Sequence, residues 1–216
     1  LISAVTPAEA VNVAQEVGKY VKGIYVDMNK ISPKTVQKAL SYIENGRTVD
    51  AAIMGGVRKQ IEIIASGSQA TQFSILNRYG LNIKVISPDT GKAKALKMLR
   101  SYYTKGVSAL LFESLYAAYQ MGLDEELLKY LEKTEGPEFK KSAISRIKNT
   151  AYHAERKAQE MDELINFIQD YENPLMARYT KESFENISQT IELDEKPEDY
   201  KEIFESLKDK KSSNQK

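Results

Sequence analysis

An α/β sheet domain followed by an all-helical one is the architecture predicted for this 216-residue chain. Over residues 1–90, short apolar runs alternate with helical stretches, as strands and crossover helices do around a mostly parallel sheet. From Gly91 onward the strand signal stops, and apolar residues recur at steps of 3 and 4 along one helix face. Composition leaves room for both parts. With 42% hydrophobic and 28% charged residues the chain is ordinary for a globular protein, and its length allows one or two domains.

Residues 1–4 read as the first strand, ended by a turn at Thr6-Pro7, with a helix from Ala8. Residues 23–27 form the second strand. Ser32-Pro33 opens the next helix, with Ser as N-cap and Pro at the first helical position. Residues 48–53, 61–65 and 81–86 are the third, fourth and fifth strands, and 69–79 is a helix before the last of them. The third and fourth strands stand too close together for a helical crossover, so that pair is antiparallel and the sheet is mixed. Residues 92–121 form one helix of about 45 Å at 1.5 Å per residue. Its apolar face is Leu96, Leu99, Tyr103, Val107, Leu110, Leu111, Leu115 and Ala118, and Gly122 stops it. Residues 123–134, 139–148, 152–171 and 174–189 follow as helices. The change of pattern at Ser87-Pro88-Asp89 puts a sheet domain at 1–88, a helical domain at 89–189 and a charged helical tail at 190–216. The acidic stretch 192–209 reads as a solvated helix face.

Lys plus Arg is 31 and Asp plus Glu is 30, a net charge of +1 that argues against a nucleic-acid binder. No apolar run approaches the ~18 residues of a membrane span, and the start lacks a signal-peptide pattern. A cytoplasmic protein is expected. With no Cys and one His, thiol chemistry, disulfides and multi-histidine zinc sites are excluded. Chemistry then rests on Lys, carboxylates, backbone or a borrowed cofactor. The chain opens on Leu1 in strand material, so a preceding segment is expected.

Open α/β sheets bind ligands beyond the carboxyl ends of their strands. Four turns leave such ends: Val5-Thr6-Pro7, the stretch from Asp27 to Pro33, the stretch from Asp50 to Gly56, and Ser66-Gly67. Gly55-Gly56 lets backbone approach a ligand and can form an anion-binding nest, or is a plain tight turn. Further on, Lys97 stands among Leu96, Met98 and Leu99. Desolvation there lowers a lysine's pKa and suits it to proton transfer, although the same position also fits a surface lysine. Lys92, Lys94 and Arg100 are cations near a helix N-terminus, unfavourable unless an anion is near, and they hint at an anionic ligand. His153, on a helix with Glu155 and Arg156, reads as a surface or packing residue rather than a catalyst.

Taken together, four segments resemble the β-hydroxyacid dehydrogenases, in the branch related to 6-phosphogluconate dehydrogenase. Ser3-Ala4-Val5-Thr6-Pro7 resembles the cofactor-side strand and turn of that family. Asp27-Met28-Asn29-Lys30-Ile31-Ser32-Pro33 is similar to its D-x-S-T-x-x-P turn. Asp50-Ala51-Ala52-Ile53-Met54-Gly55-Gly56 looks like its D-A-P-V-S-G-G substrate motif, and Gly91 to Ser101 like G-x-G-x-x-x-K-x-x-x-N.

The resemblance implies a partial Rossmann-like nucleotide-binding domain, then a long interdomain helix and a helical domain that pairs as a homodimer. It implies hydride transfer between NADP (or NAD) and a small anionic hydroxy acid or sugar acid. Lys97 would be catalytic, and Gly55, Gly56, Met54 and Ser101 would bind substrate. Val5, Thr6, Pro7 and Asn29 would lie at the cofactor. Met54 and Ser101 depart from the family's Ser and Asn, and Thr104 stands where 6-phosphogluconate dehydrogenase has its acid. The G-x-G-x-x-G turn is absent, so the chain alone is expected to bind dinucleotide poorly and to lack activity. The alternative is a non-catalytic binding or dimerisation module derived from the fold.

Overall fold

The computed structural model describes residues 1–55 and 61–213. Gly56 therefore lies outside the described residues. The chain divides into two compact units, Leu1–Arg100 and Ser101–Lys216.

In the first unit five strands form one sheet in sequence order: β1 (Ile2–Ser3), β2 (Tyr25–Asp27), β3 (Thr48–Met54), β4 (Glu62–Ser66) and β5 (Ile83–Ser87). Every neighbouring pair is parallel except β3 with β4, which is antiparallel as the short connection requires. Pro7 begins a 3₁₀ turn, Pro7–Glu9, that leads into α1 (Ala10–Val17). Helix α2 (Pro33–Ser41) starts as its sequence dictates: Ser32 Oγ accepts from Thr35 N at 3.1 Å, and Pro33 occupies the first turn. The expected helix at 69–79 is instead a single α-turn, α3 (Ala70–Phe73), followed by a 3₁₀ stretch, Ser74–Tyr79. Asn77 explains the change. Its side chain binds both N–H and C=O of Ile83, drawing the chain into β5.

The period-2 alternation of strands sorts the core onto two faces. Val26, Val49, Ala51, Ile63, Ala65 and Ile83 meet Ala70 and Phe73 on one side. On the other, Tyr25 packs with Val36, Ala39 and Leu40 of α2 and Ala10 and Ala14 of α1. That face also carries a polar row. Ser3 is in register with Asp27, Asp27 with Asp50, and Asp50 with Ser66. All four are buried.

Helix α4 (Lys92–Gln120) begins in the first unit and continues into the second. Gly122, at φ 69°, ends it, with Leu123 N donating to Ala118 O at 2.8 Å. Its apolar side chains divide differently from the single stripe read from sequence. Leu111, Phe112, Leu115, Tyr116 and Ala118 are buried, whereas Leu96, Leu99, Tyr103 and Leu110 are exposed.

Then follow α5 (Asp124–Glu135), α6 (Phe139–Tyr152), α7 (Ala154–Ile168), α8 (Leu175–Thr190) and α9 (Tyr200–Ser213). The acidic tail is not merely a solvated face. Tyr200, Ile203, Phe204 and Leu207 of α9 are buried, and the Phe204 ring lies 5.5 Å from Phe112, 5.4 Å from Tyr116 and 5.5 Å from Tyr200. Burial and a 2.6 Å hydrogen bond to Asp124 hold the Tyr200 hydroxyl well above the usual tyrosine range. No helix among the described residues is long and apolar enough to cross a membrane.

Candidate functional site

The buried row of Ser3, Asp27, Asp50 and Ser66 needs a counter-charge, because two carboxylates removed from water are costly unless paired. Lys94, in the first turn of α4, supplies it. The side chain is 2% exposed, and its ammonium stands 3.2 Å from Asp27 Oδ1 and 3.3 Å from Asp50 Oδ1. It also donates to the carbonyls of Asp27 at 3.1 Å and Ala51 at 2.5 Å. Lys94 therefore carries no sign of an external anion. The sequence expectation is corrected here: this cation is neutralised inside the protein.

Asp50 does a second job. Its Oδ2 accepts from the backbone N–H of Gly91 (3.0 Å), Ala93 (3.1 Å) and Lys94 (3.3 Å), and from Ser66 Oγ (2.9 Å). These amides are among those a helix start leaves unsatisfied, and a carboxylate there also meets the positive end of the helix dipole. Gly91 makes the geometry possible. It is at φ 97°, and an added Cβ would sit 3.1 Å from Gln37 Nε2, so a larger residue would be strained.

Asn29 does the same for the turn after β2. Its Nδ2 donates to Asp27 Oδ2 at 2.7 Å and Ser3 Oγ at 3.0 Å, while its Oδ1 accepts from Val5 N at 2.6 Å. The predicted cofactor-side residues are thereby brought together: Asn29 is buried and pins the end of β1, leaving Val5, Thr6 and Pro7 exposed beyond it.

Lys97 lies one turn along α4 from Lys94 and is half-buried. Burial, then the positive charges of Lys94 and Lys30, hold its ammonium below the usual lysine range. It makes no hydrogen bond or ion pair among the described residues. Gly55 has φ 84°, and among the described residues nothing lies within 4 Å of where a side chain would be, which suits close approach of a ligand. Met54 packs against the small cluster of Ala52, Ile64 and Ala93.

Ser101 belongs to the second unit, where its hydroxyl accepts from Lys105 at 2.7 Å. Lys105 also pairs with Glu160 at 3.0 Å. Nearby, Lys157 donates to Thr150 Oγ1 at 2.8 Å and lies over the Phe184 ring at 5.3 Å. Burial first, then Lys105, Arg146 and Arg156, push Lys157 down to about 8, opposed by Glu160. Between about 8 and the ordinary 10.5, the unfolded chain holds a proton there that the folded chain has released. Stability therefore rises with pH across that window; below it both states are protonated and the full cost of the buried cation is carried. Relative to Lys157→Met, the wild type should gain on the order of 2 kcal/mol between pH 7 and pH 10. Equal changes in urea midpoints for the two proteins would refute this.

His153, between α6 and α7, stacks edge-on to Tyr152 at 4.7 Å, as a packing residue does. No group of three or more metal-ligating side chains occurs among the described residues.

Sequence reasoning missed Asp27, Asp50 and Ser66 as one assembly with Lys94. The signal was present: Tyr25-Val26-Asp27 and Thr48-Val49-Asp50 each carry an acid at the same place in a buried strand.

A mixed sheet with a polar row on one face, a carboxylate-capped long helix and a half-buried lysine in its second turn make up the candidate site. An uncharacterised 28.5 kDa protein of Methanothermus fervidus is 43% identical over 190 residues, which are 88% of this chain and 76% of that one. A solved conserved protein of unknown function, described as structurally similar to 3-hydroxyacid dehydrogenases, is 51% identical with a TM-score of 0.82, covering 87% of this chain and 74% of its own. Residues 118–187 match a domain of unknown function, DUF1932. Two more distant structures share the fold. They are 3-hydroxyisobutyrate dehydrogenase of Salmonella typhimurium (16% identity, TM-score 0.63, 95% of this chain and 78% of that one) and Psf3 in complex with NADP⁺ and 2-OPP (15%, 0.60, 95% and 80%). The chain belongs to the β-hydroxyacid dehydrogenase-related family.

Proposed function

We propose that this protein is an NADP-dependent oxidoreductase that transfers hydride between the cofactor and a hydroxy acid or sugar acid, with Lys97 moving the hydroxyl proton. The observation that carries this is Lys97 itself: half-buried, unpaired among the described residues, held below the usual lysine range and fixed on a capped helix. A lysine so placed gives up its proton more readily than an ordinary surface lysine, which suits it to proton transfer. In the oxidative direction its neutral amine accepts the hydroxyl proton and then releases it to water; in the reductive direction it returns the proton to the new alkoxide oxygen.

NADP, when bound, supplies the hydride acceptor or donor. The residues present fit its nicotinamide end. Val5, Thr6 and Pro7 are open beyond β1, held in place by the fully engaged Asn29, at the strand ends where such sheets bind ligands. Gly55, with its open backbone, would approach the substrate's acid group.

The test, made on the native protein purified from its source, is NADPH binding by fluorescence, together with NADP⁺ reduction across a panel of β-hydroxy acids and sugar acids. Turnover of one class supports the proposal. Neither binding nor turnover would leave a non-catalytic binding or dimerisation module.

We also propose that the helical unit pairs with a second copy. Tyr103 and Leu110 on α4, and Leu175, Met176 and Tyr179 on α8, leave apolar side chains exposed in that unit. Sedimentation equilibrium should give twice the chain mass, and Leu110→Asp should halve it. A monomeric wild type would contradict the pairing.

A further inference from the structure

We propose that Lys94 is a positioning residue for Lys97: its buried ammonium, clamped between Asp27 and Asp50, ties the end of β2 to the first turn of α4 and sets both the place and the charge environment of the lysine one turn on. The proposal rests on the role given to Lys97 above.

The geometry supports it from three sides. Lys94 reaches across from α4 to two strands, meeting the Asp27 carboxylate and carbonyl on β2, and the Asp50 carboxylate and the Ala51 carbonyl on β3. Asp50 in turn holds the amides of Gly91, Ala93 and Lys94, so the helix start cannot shift without breaking the same cluster. Asp27 accepts from both the backbone and the side chain of Asn29, which carries the turn beside β1. One ammonium thus couples the pinned turn to the helix that presents Lys97.

The charge acts as well. Two carboxylates oppose one ammonium, and three helix amides with Ser66 Oγ offset the remainder. Lys94 precedes Lys97 by three residues on the same helix, and its charge, with that of Lys30 in the turn after β2, acts on the Lys97 amine. Like charges at such range disfavour the protonated amine.

The test follows the titration of Lys97 by NMR after reductive ¹³C-methylation, its resonance assigned by its loss in Lys97→Arg. Lys94→Gln removes the charge but keeps a donor for the carbonyls; Lys94→Arg keeps the charge. The expected result is an upward shift of the Lys97 midpoint by at least half a pH unit in Lys94→Gln, with the wild-type midpoint retained in Lys94→Arg. A folded Lys94→Gln with an unmoved midpoint overturns the proposal, as does an equal shift in both variants. Should neither variant fold, the wild type still decides: Lys97 titrating at the ordinary lysine value overturns it. None of these readings requires turnover. Failure of the hydride-transfer proposal would leave this coupling intact and would be seen separately.

Discussion

Asp50→Ala lowers the stability of the protein by about 3–5 kcal/mol, the cost of removing one member of a buried, hydrogen-bonded charge cluster. The carboxylate accepts three backbone N–H groups and a hydroxyl on Oδ2, and Oδ1 faces Lys94 at 3.3 Å. Truncation leaves the Lys94 ammonium, 2% exposed, with Asp27 as its remaining carboxylate. It also strips the cap from the first turn of α4, a loss worth about 1 kcal/mol on its own. Surface pairs give the contrast. Lys181 and Asp162 stand 2.7 Å apart with Asp162 57% exposed, and Asp162→Ala should cost less than about 1 kcal/mol. Urea unfolding of the two variants beside the wild type checks this. An Asp50→Ala loss no larger than that of Asp162→Ala would mean that the cluster does not hold the sheet to the helix.

Lys97→Met should reduce turnover by about 10²–10⁴-fold, the usual contribution of a positioned proton-transfer group. Lys97→Arg should fail nearly as badly, because a guanidinium keeps the charge but cannot give up its proton. That pair of variants separates proton transfer from simple attraction of an anion. The sign with pH follows from the free amine being the base. Oxidation rates rise as pH rises through the Lys97 titration, and that limb falls below the usual lysine range because burial and the Lys94 and Lys30 charges disfavour the ammonium. Wild-type turnover in either variant would remove Lys97 from the chemistry.

How much of this was legible in the chain differs by element. The Ser32-Pro33 helix start, the mixed sheet and the long helix ending at Gly122 were readable, because capping, connection length and periodicity are local properties. Helix α9 was readable too, yet missed as a packed element. Tyr200, Ile203, Phe204 and Leu207 have the spacing of a buried face, but the surrounding acids drew attention to charge.

Lys94 was misread for a different reason. In Gly91-Lys92-Ala93-Lys94-Ala95 nothing distinguishes it from its solvated neighbour Lys92. What separates them is the parallel register that sets Asp27 beside Asp50. Two carboxylates on adjacent strands, 23 residues apart in the chain, become one buried charge only when the sheet forms. The helix that packs over them must then bring a cation at its third residue, and α4 does so.

The sequence by itself determined the kinds of element, their order and the candidate lysine, since these depend on neighbours within a few residues. Tertiary structure alone decided which charges are buried and which are paired. Those properties belong to strand register and helix placement, and no short stretch of chain contains them.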